Sequence, residues 1–85
     1  MNVEKSAARL GATIERRRSS LGLTQAQVCD LAGVGPSFLH QLEHGKPTVR
    51  FDKLLAVLEV LGLGLNIRES RQLLAAAEDL WGEDA

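Results

Sequence analysis

Apolar residues in the first part of the chain recur at helical spacing. Leu10, Ile14 and Leu21 share one side of a 3.6-residue period, with Arg16, Arg17 and Arg18 around them, which predicts an amphipathic helix over residues 5–21 closed by Gly22. Thr24-Gln25-Ala26-Gln27 has the form of a capping box, and Leu23 and Val28 stand where a hydrophobic staple needs them. A second helix therefore starts at Thr24 and ends at Gly33. Val34-Gly35-Pro36 then restarts the chain, with Gly35 as N-cap and Pro36 at the first helical position, where its missing N–H costs nothing. Phe38, Leu39 and Leu42 give the third helix its buried face, and Gly45 stops it. A fourth helix over about residues 51–61 follows from the stripe Phe51, Leu54, Leu55, Leu58 and Leu61, without a clear cap.

At Gly62 the period changes. Leu63, Leu65 and Ile67 alternate with Gly64, Asn66 and Arg68, which is a strand pattern, and it occurs nowhere else in the chain. A lone strand has no internal partner for its backbone N–H and C=O groups; the simplest one is the same strand of a second copy, antiparallel about a two-fold axis. An extended linker is the other reading, and the shared strand is favoured. From Ser70 to Trp81 helical spacing returns, with Leu73, Leu74, Ala77, Leu80 and Trp81 on one side and Glu78, Asp79, Glu83 and Asp84 as acidic companions. The chain thus divides into a helical domain over residues 1–62, a dimerisation strand over 63–69 and an acidic C-terminal helix or tail over 70–85.

Length limits what such a domain can bury. With 85 residues there is room for one modest core, and chains of this size often gain stability by associating. A hydrophobic content of 45% with 25% charged residues excludes wholesale disorder. The longest apolar run is broken by Glu59, no secretory signal pattern opens the chain, and one Cys cannot form an internal disulfide. A cytoplasmic protein without membrane contact is the expectation. The net charge of −1 conceals an asymmetry: residues 1–50 carry seven basic against four acidic side chains, and the remainder three against seven. A basic first half and an acidic second half suggest two different partners.

Candidate chemistry is sparse. Two His, one Cys and scattered carboxylates include no nucleophile elbow, no HExxH and no phosphate-binding glycine loop, so an enzyme is not expected. His40 and His44 have a spacing that can bind metal, yet no Cys or acidic ligand stands obviously beside them, and they are read as solvated or interface residues. No metal or cofactor is expected. Cys29 is read as a small, partly buried apolar residue. The two short helices joined by Ala32-Gly33-Val34-Gly35 fit a helix-turn-helix, in which one helix crosses the DNA backbone and the next enters the major groove. Pro36, Ser37, His40 and Gln41 are then the outward, base-facing residues, because Phe38, Leu39 and Leu42 are committed to the core. An ordinary helical hairpin would explain the apolar stripes but not the basic half.

Residues 9–62 resemble the lambda-repressor-like helix-turn-helix domains of the XRE class, on LGLTQAQVCDLAGVGPSFLHQLEHGK followed by FDKLLAVLEVLGL. More narrowly, VGPSFLHQLEHGKPTVRFDKLLAVLEVLGLGL is similar to the HipB-type antitoxins, in which GKPT and the terminal alternating segment recur. The resemblance implies that Gln25, at the start of the second helix, binds DNA phosphate, and that Lys46, Thr48 and Arg50 meet the backbone beyond the recognition helix. It implies that Ser37, His40 and Gln41 contact bases, and that Glu43 pairs with an Arg of the first helix, here Arg18. Many relatives carry Arg where this chain has Ser37, a departure that moves specificity toward His40, Gln41 and DNA shape.

The resemblance further implies that the strand, with Leu63, Leu65, Asn66 and Ile67, pairs across a homodimer. Its implied partners are double-stranded operator DNA and a HipA-like serine/threonine kinase toxin, with Leu73, Leu74, Leu80 and Trp81 as a toxin-binding element or as packing within the dimer. The expectation is an all-α, lambda-repressor-like helix-turn-helix bundle with one C-terminal strand, acting as an antitoxin that represses its own operon. A stand-alone repressor of the same class and a protein-interaction module that does not bind DNA are the alternatives.

Overall fold

The computed structural model describes residues 2–69. Four helices follow one another: α1 (Val3–Ser20), α2 (Gln25–Ala32), α3 (Pro36–Glu43) and α4 (Phe51–Val60). The start of α1 lies two residues before the expected position because Asn2 caps it, its Oδ1 accepting the Lys5 backbone N–H at 2.9 Å. At α2 the capping box forms in both directions: the Gln27 N–H donates to Thr24 Oγ1 at 3.1 Å, and the Thr24 N–H to Gln27 Oε1 at 2.8 Å. Gly33 ends α2 at φ 70°, with its N–H and that of Val34 both donating to the Cys29 carbonyl. That left-handed residue turns the chain into α3, whose N-cap is Gly35 and whose first residue is Pro36.

Packing is pairwise: α2 lies against both α3 and α4, and α1 lies against α3. Ile14, Val28, Cys29, Val34, Leu39, Leu42, Leu54, Val57, Leu58 and Leu61 form one core, with every helix contributing. The α4 stripe sits further round than its sequence implied. Val57 is fully buried, whereas Phe51 and Leu55, expected inside, are exposed. Leu21, placed on the α1 stripe, is also exposed, because it lies past the last helical turn as the C-cap. Arg50 occupies the N-cap of α4 without a side-chain cap.

The expected strand of Leu63, Leu65, Asn66 and Ile67 is absent from the single chain. Residues 63–69 have no regular secondary structure, and past the Leu63 N–H, which donates to the Leu58 carbonyl at 2.8 Å, no backbone hydrogen bond ties them to the rest of the described chain. The reason is elementary: a strand exists as a ladder, and among the described residues no second extended segment pairs with this one. Among the described residues the fold is helical only. The C-terminal helix expected over residues 70–85, with Leu73, Leu74, Leu80 and Trp81, lies outside the described residues.

One close approach sets the distance between α1 and α3. Gly11 is buried, and a Cβ at that position would run into the Leu42 carbonyl oxygen and lie 2.7 Å from that of Glu43. One turn earlier, Ala8 lies against Gly45, where an added Cβ would be 2.9 Å from the Ala8 Cα and where φ is +83°. Both obstacles are backbone, which gives way only if a helix moves. Gly11→Ala should therefore destabilise the domain by about 1–2 kcal/mol, overpacking outweighing the better helix propensity of Ala. Urea unfolding measures this, with Gly64→Ala, which has open space around it, as the neutral comparison. An unchanged or raised midpoint for Gly11→Ala would mean that the two helices are further apart.

Candidate nucleic-acid interface

α3 is the element on which the candidate base-reading residues sit. Leu39 and Leu42 are buried on one side and Phe38 is half-buried, so Pro36, Ser37, His40 and Gln41 are left exposed on the other. That division follows from period alone: the residues between the apolar positions of a short helix must face outward. His40 and His44 stack one turn apart, with ring centroids 4.1 Å from each other, and His44 Nδ1 donates to the His40 carbonyl at 2.7 Å. Gln41 is paired too, its Oε1 accepting from Lys46 Nζ at 3.1 Å. A residue expected at the bases and one expected at phosphate thus share a hydrogen bond.

The remaining candidate phosphate contacts are partly engaged. Thr48 is exposed on the loop after α3. Arg50 forms a bidentate pair with Asp52, Nη2 to Oδ2 at 2.6 Å and Nε to Oδ1 at 3.2 Å, with both side chains in solvent. The Arg50 hydrogen bond, with that of the Lys53 backbone, holds the Asp52 carboxyl below its ordinary pKa. Exchange of such an exposed pair for phosphate costs little, since surface ion pairs are weak. Gln25 at the N-terminus of α2 is turned inward: its Nε2 donates to Glu43 Oε1 at 3.0 Å, which leaves the second amide N–H for a phosphate.

Beneath this surface the Glu43 carboxylate collects three donors. Arg18 Nε reaches Oε2 at 2.6 Å, Arg18 Nη2 reaches Oε1 at 3.0 Å, and Gln25 completes the set. The Glu43 side chain is 1% exposed and that of Arg18 15%, and Arg18 Nη1 also donates to the Leu23 carbonyl at 2.9 Å. Burial pushes the Glu43 carboxyl upward, but the hydrogen bonds from Arg18 and Gln25 and the Arg18 charge outweigh it, and the pKa is lowered. The bond to Glu43 raises that of Arg18. α1, the turn before α2, α2 itself and the end of α3 meet at this one group.

Arg17 also has a structural role that its sequence did not disclose. Its Nε donates to the Leu61 carbonyl at 2.8 Å, joining α1 to the end of α4. Gly11 was equally hidden; the signal was the pair of small residues Ala8 and Gly11 three apart on α1, a spacing that admits close backbone approach. Cys29 is buried, and burial together with the Asp30 and Glu43 charges raises its pKa, which suits a packing residue. Among the described residues no group of three or more metal-ligating side chains occurs. None of their helices is long and apolar enough to cross a membrane.

A helix-turn-helix domain family matches residues 9–73, a span that contains α2, the Gly33 turn and α3. The chain belongs to this helix-turn-helix family. It is also 40% identical over 63 residues to an uncharacterized HTH-type transcriptional regulator, y4mF, of Sinorhizobium fredii, covering 74% of this chain and 83% of the relative. These matches support an XRE-like helix-turn-helix family and DNA-binding regulation as its activity.

The buried carboxylate gives a pH signature. A group with a lowered folded-state pKa stabilises the native state fully above its unfolded value, and the contribution is lost as pH falls through the folded value. Glu43→Gln should destabilise the domain at pH 7, because it leaves the buried Arg18 charge without its counterion, and the gap from the parent should narrow as pH drops below the ordinary carboxylate range. Urea midpoints at pH 7 and pH 3 measure both. A gap that stayed constant with pH would show that the Glu43 charge is not what its partners hold.

Proposed function

We propose that this protein is a HipB-like antitoxin: a homodimeric operator-binding repressor of its own operon that also binds a HipA-like serine/threonine kinase toxin. The observation that carries the DNA part is the exposed α3 face, Pro36, Ser37, His40 and Gln41, held on a helix whose other side is anchored by Leu39, Leu42 and Glu43. Reading a groove requires such a rigid helix with free polar side chains. The antitoxin part rests on the GKPT and C-terminal alternating motifs.

In this reading Gln41 and His40 approach base edges, and Ser37 contributes a short hydroxyl. Lys46 leaves Gln41 Oε1 for a phosphate and so releases that oxygen to accept a hydrogen bond from a base. Thr48, Arg50 and the second Gln25 N–H supply further backbone contacts. The homodimer forms through residues 63–68 and presents two recognition helices to half-sites roughly 34 Å apart, one DNA turn. The toxin meets Leu73, Leu74, Leu80 and Trp81. The protein acts by binding, without catalysis, in the cytoplasm.

A gel shift on DNA from upstream of its own gene tests the central claim. Binding should weaken linearly in log–log with salt as counterions are released. Gln41→Ala should relax sequence preference by about 1–3 kcal/mol at one position, whereas Lys46→Ala should weaken all sequences alike and reduce the salt slope by about 1. No shift at low salt would favour the interaction module over the DNA-binding reading. Co-purification of a kinase encoded beside this gene separates an antitoxin from a stand-alone repressor, the latter being favoured if no kinase is retained.

A further inference from the structure

His40 on α3 and His44 at its C-cap are both exposed, and their rings lie 4.1 Å apart centre to centre with planes inclined at 34°. Spacing alone does not commit such a pair to metal, but the hydrogen bonding sorts its ring nitrogens. His44 Nδ1 lies 2.7 Å from the His40 carbonyl oxygen, which can only accept. In the neutral ring Nδ1 therefore carries the proton and Nε2 keeps its lone pair. A backbone carbonyl on the far ring nitrogen is the arrangement that fixes the tautomer and orientation of a metal-bound histidine and raises its basicity. His44 is thus prepared as an Nε2 ligand, with the His40 ring beside it.

Ligand chemistry narrows the ion. Imidazole nitrogen suits zinc, copper and nickel, whereas magnesium and calcium ask for oxygen. An ion bonded at about 2.1 Å to a nitrogen of each ring spans two imidazoles this close. The adjoining Glu43 carboxylate is turned inward to Arg18 and Gln25 and is not a third ligand, and among the described residues no three metal-ligating side chains gather. Water then fills the remaining positions, so the ion is held reversibly and less tightly than in a closed zinc centre. The end of α3 favours it as well, because the carbonyls at a helix C-terminus carry partial negative charge.

We propose that His40 and His44 form a two-nitrogen site for zinc or another borderline divalent ion, and that its occupancy lowers the sequence discrimination of α3. The second part rests on the DNA-binding reading above. His40 belongs to the exposed set with Pro36, Ser37 and Gln41, so an ion on its ring removes one polar contact and places a hydration shell between the helix and the bases. The added positive charge leaves the attraction to phosphate intact, so binding to unrelated DNA persists while preference declines.

Zinc chloride titrated calorimetrically into the DNA-free chain tests the site. One equivalent should bind per chain, and His44→Asn should weaken it roughly tenfold or more, since loss of a ligand outweighs loss of an outer partner. Asn keeps a donor for the His40 carbonyl but offers no lone pair in place of Nε2, and an unchanged thermal melt shows that the fold is retained. Equal zinc affinity in the parent and in His44→Asn overturns the site. Gel shifts with upstream DNA competing against a scrambled sequence test the second part. Zinc should lower the parent's preference at least about fivefold, the discrimination that one base contact supplies, and should leave His44→Asn unaffected. A zinc-loaded parent with undiminished preference overturns the regulation and leaves the site. A chain that shifts no DNA overturns the DNA-binding reading and the regulation together, while the zinc titration still decides the site.

Discussion

A single buried carboxylate organises the domain. Glu43 ends α3, and a charge with 1% of its side chain exposed is tolerable only if donors replace its water. Arg18 supplies two of them from the far part of α1 and Gln25 supplies one from the first turn of α2, so three helices are indexed to one group. Such a buried pair contributes little net stability over a well-packed apolar substitute, because desolvation offsets most of the attraction. Its contribution is geometric. The angle at which α3 leaves the body, and with it the direction of Ser37, His40 and Gln41, is constrained at the end of α3 by this carboxylate and at its start by the Gly33 turn and Gly35-Pro36.

The same network redistributes the positive charge of the first half. Of the run Arg16-Arg17-Arg18, one guanidinium is spent on Glu43 and Leu23 and another on the end of α4, leaving Arg16 exposed with a long 3.5 Å contact to Thr13. Charge that looked available to a polyanion is therefore largely internal. In the segment after α3, Lys46 and Arg50 are each held only in an exposed hydrogen bond, to Gln41 and Asp52. A chain of net charge −1 can bind DNA on these terms, since a local cluster of cations on one face matters more than the total.

Apolar surface tells a parallel story on the opposite side of the problem. The core takes Leu54, Val57, Leu58 and Leu61 from α4 and leaves Phe51 and Leu55 outside, together with Leu31 from α2. A domain this small cannot bury everything its sequence offers, and the remainder is available for association. Leu65 and Ile67 belong to that remainder, and among the described residues the segment that carries them has no backbone partner past Leu63.

Local signals were legible directly. The Thr24–Gln27 capping box, the Gly33 and Gly35-Pro36 punctuation and the outward set on α3 depend on residues within one or two turns of each other, so the sequence by itself determined them. The family resemblance implied the Arg18–Glu43 pair, and the structure forms it. What only the tertiary structure decided are the relations between distant residues: the third donor of Gln25, the reach of Arg17 to Leu61, the backbone contact that forbids a side chain at Gly11, and the rotation of α4 that exposes Phe51. The physical reason is common to all four. Periodicity states that a helix has an apolar side, but which residues at its margins are covered, and which polar groups find a partner, depends on the angle and distance at which a second helix arrives.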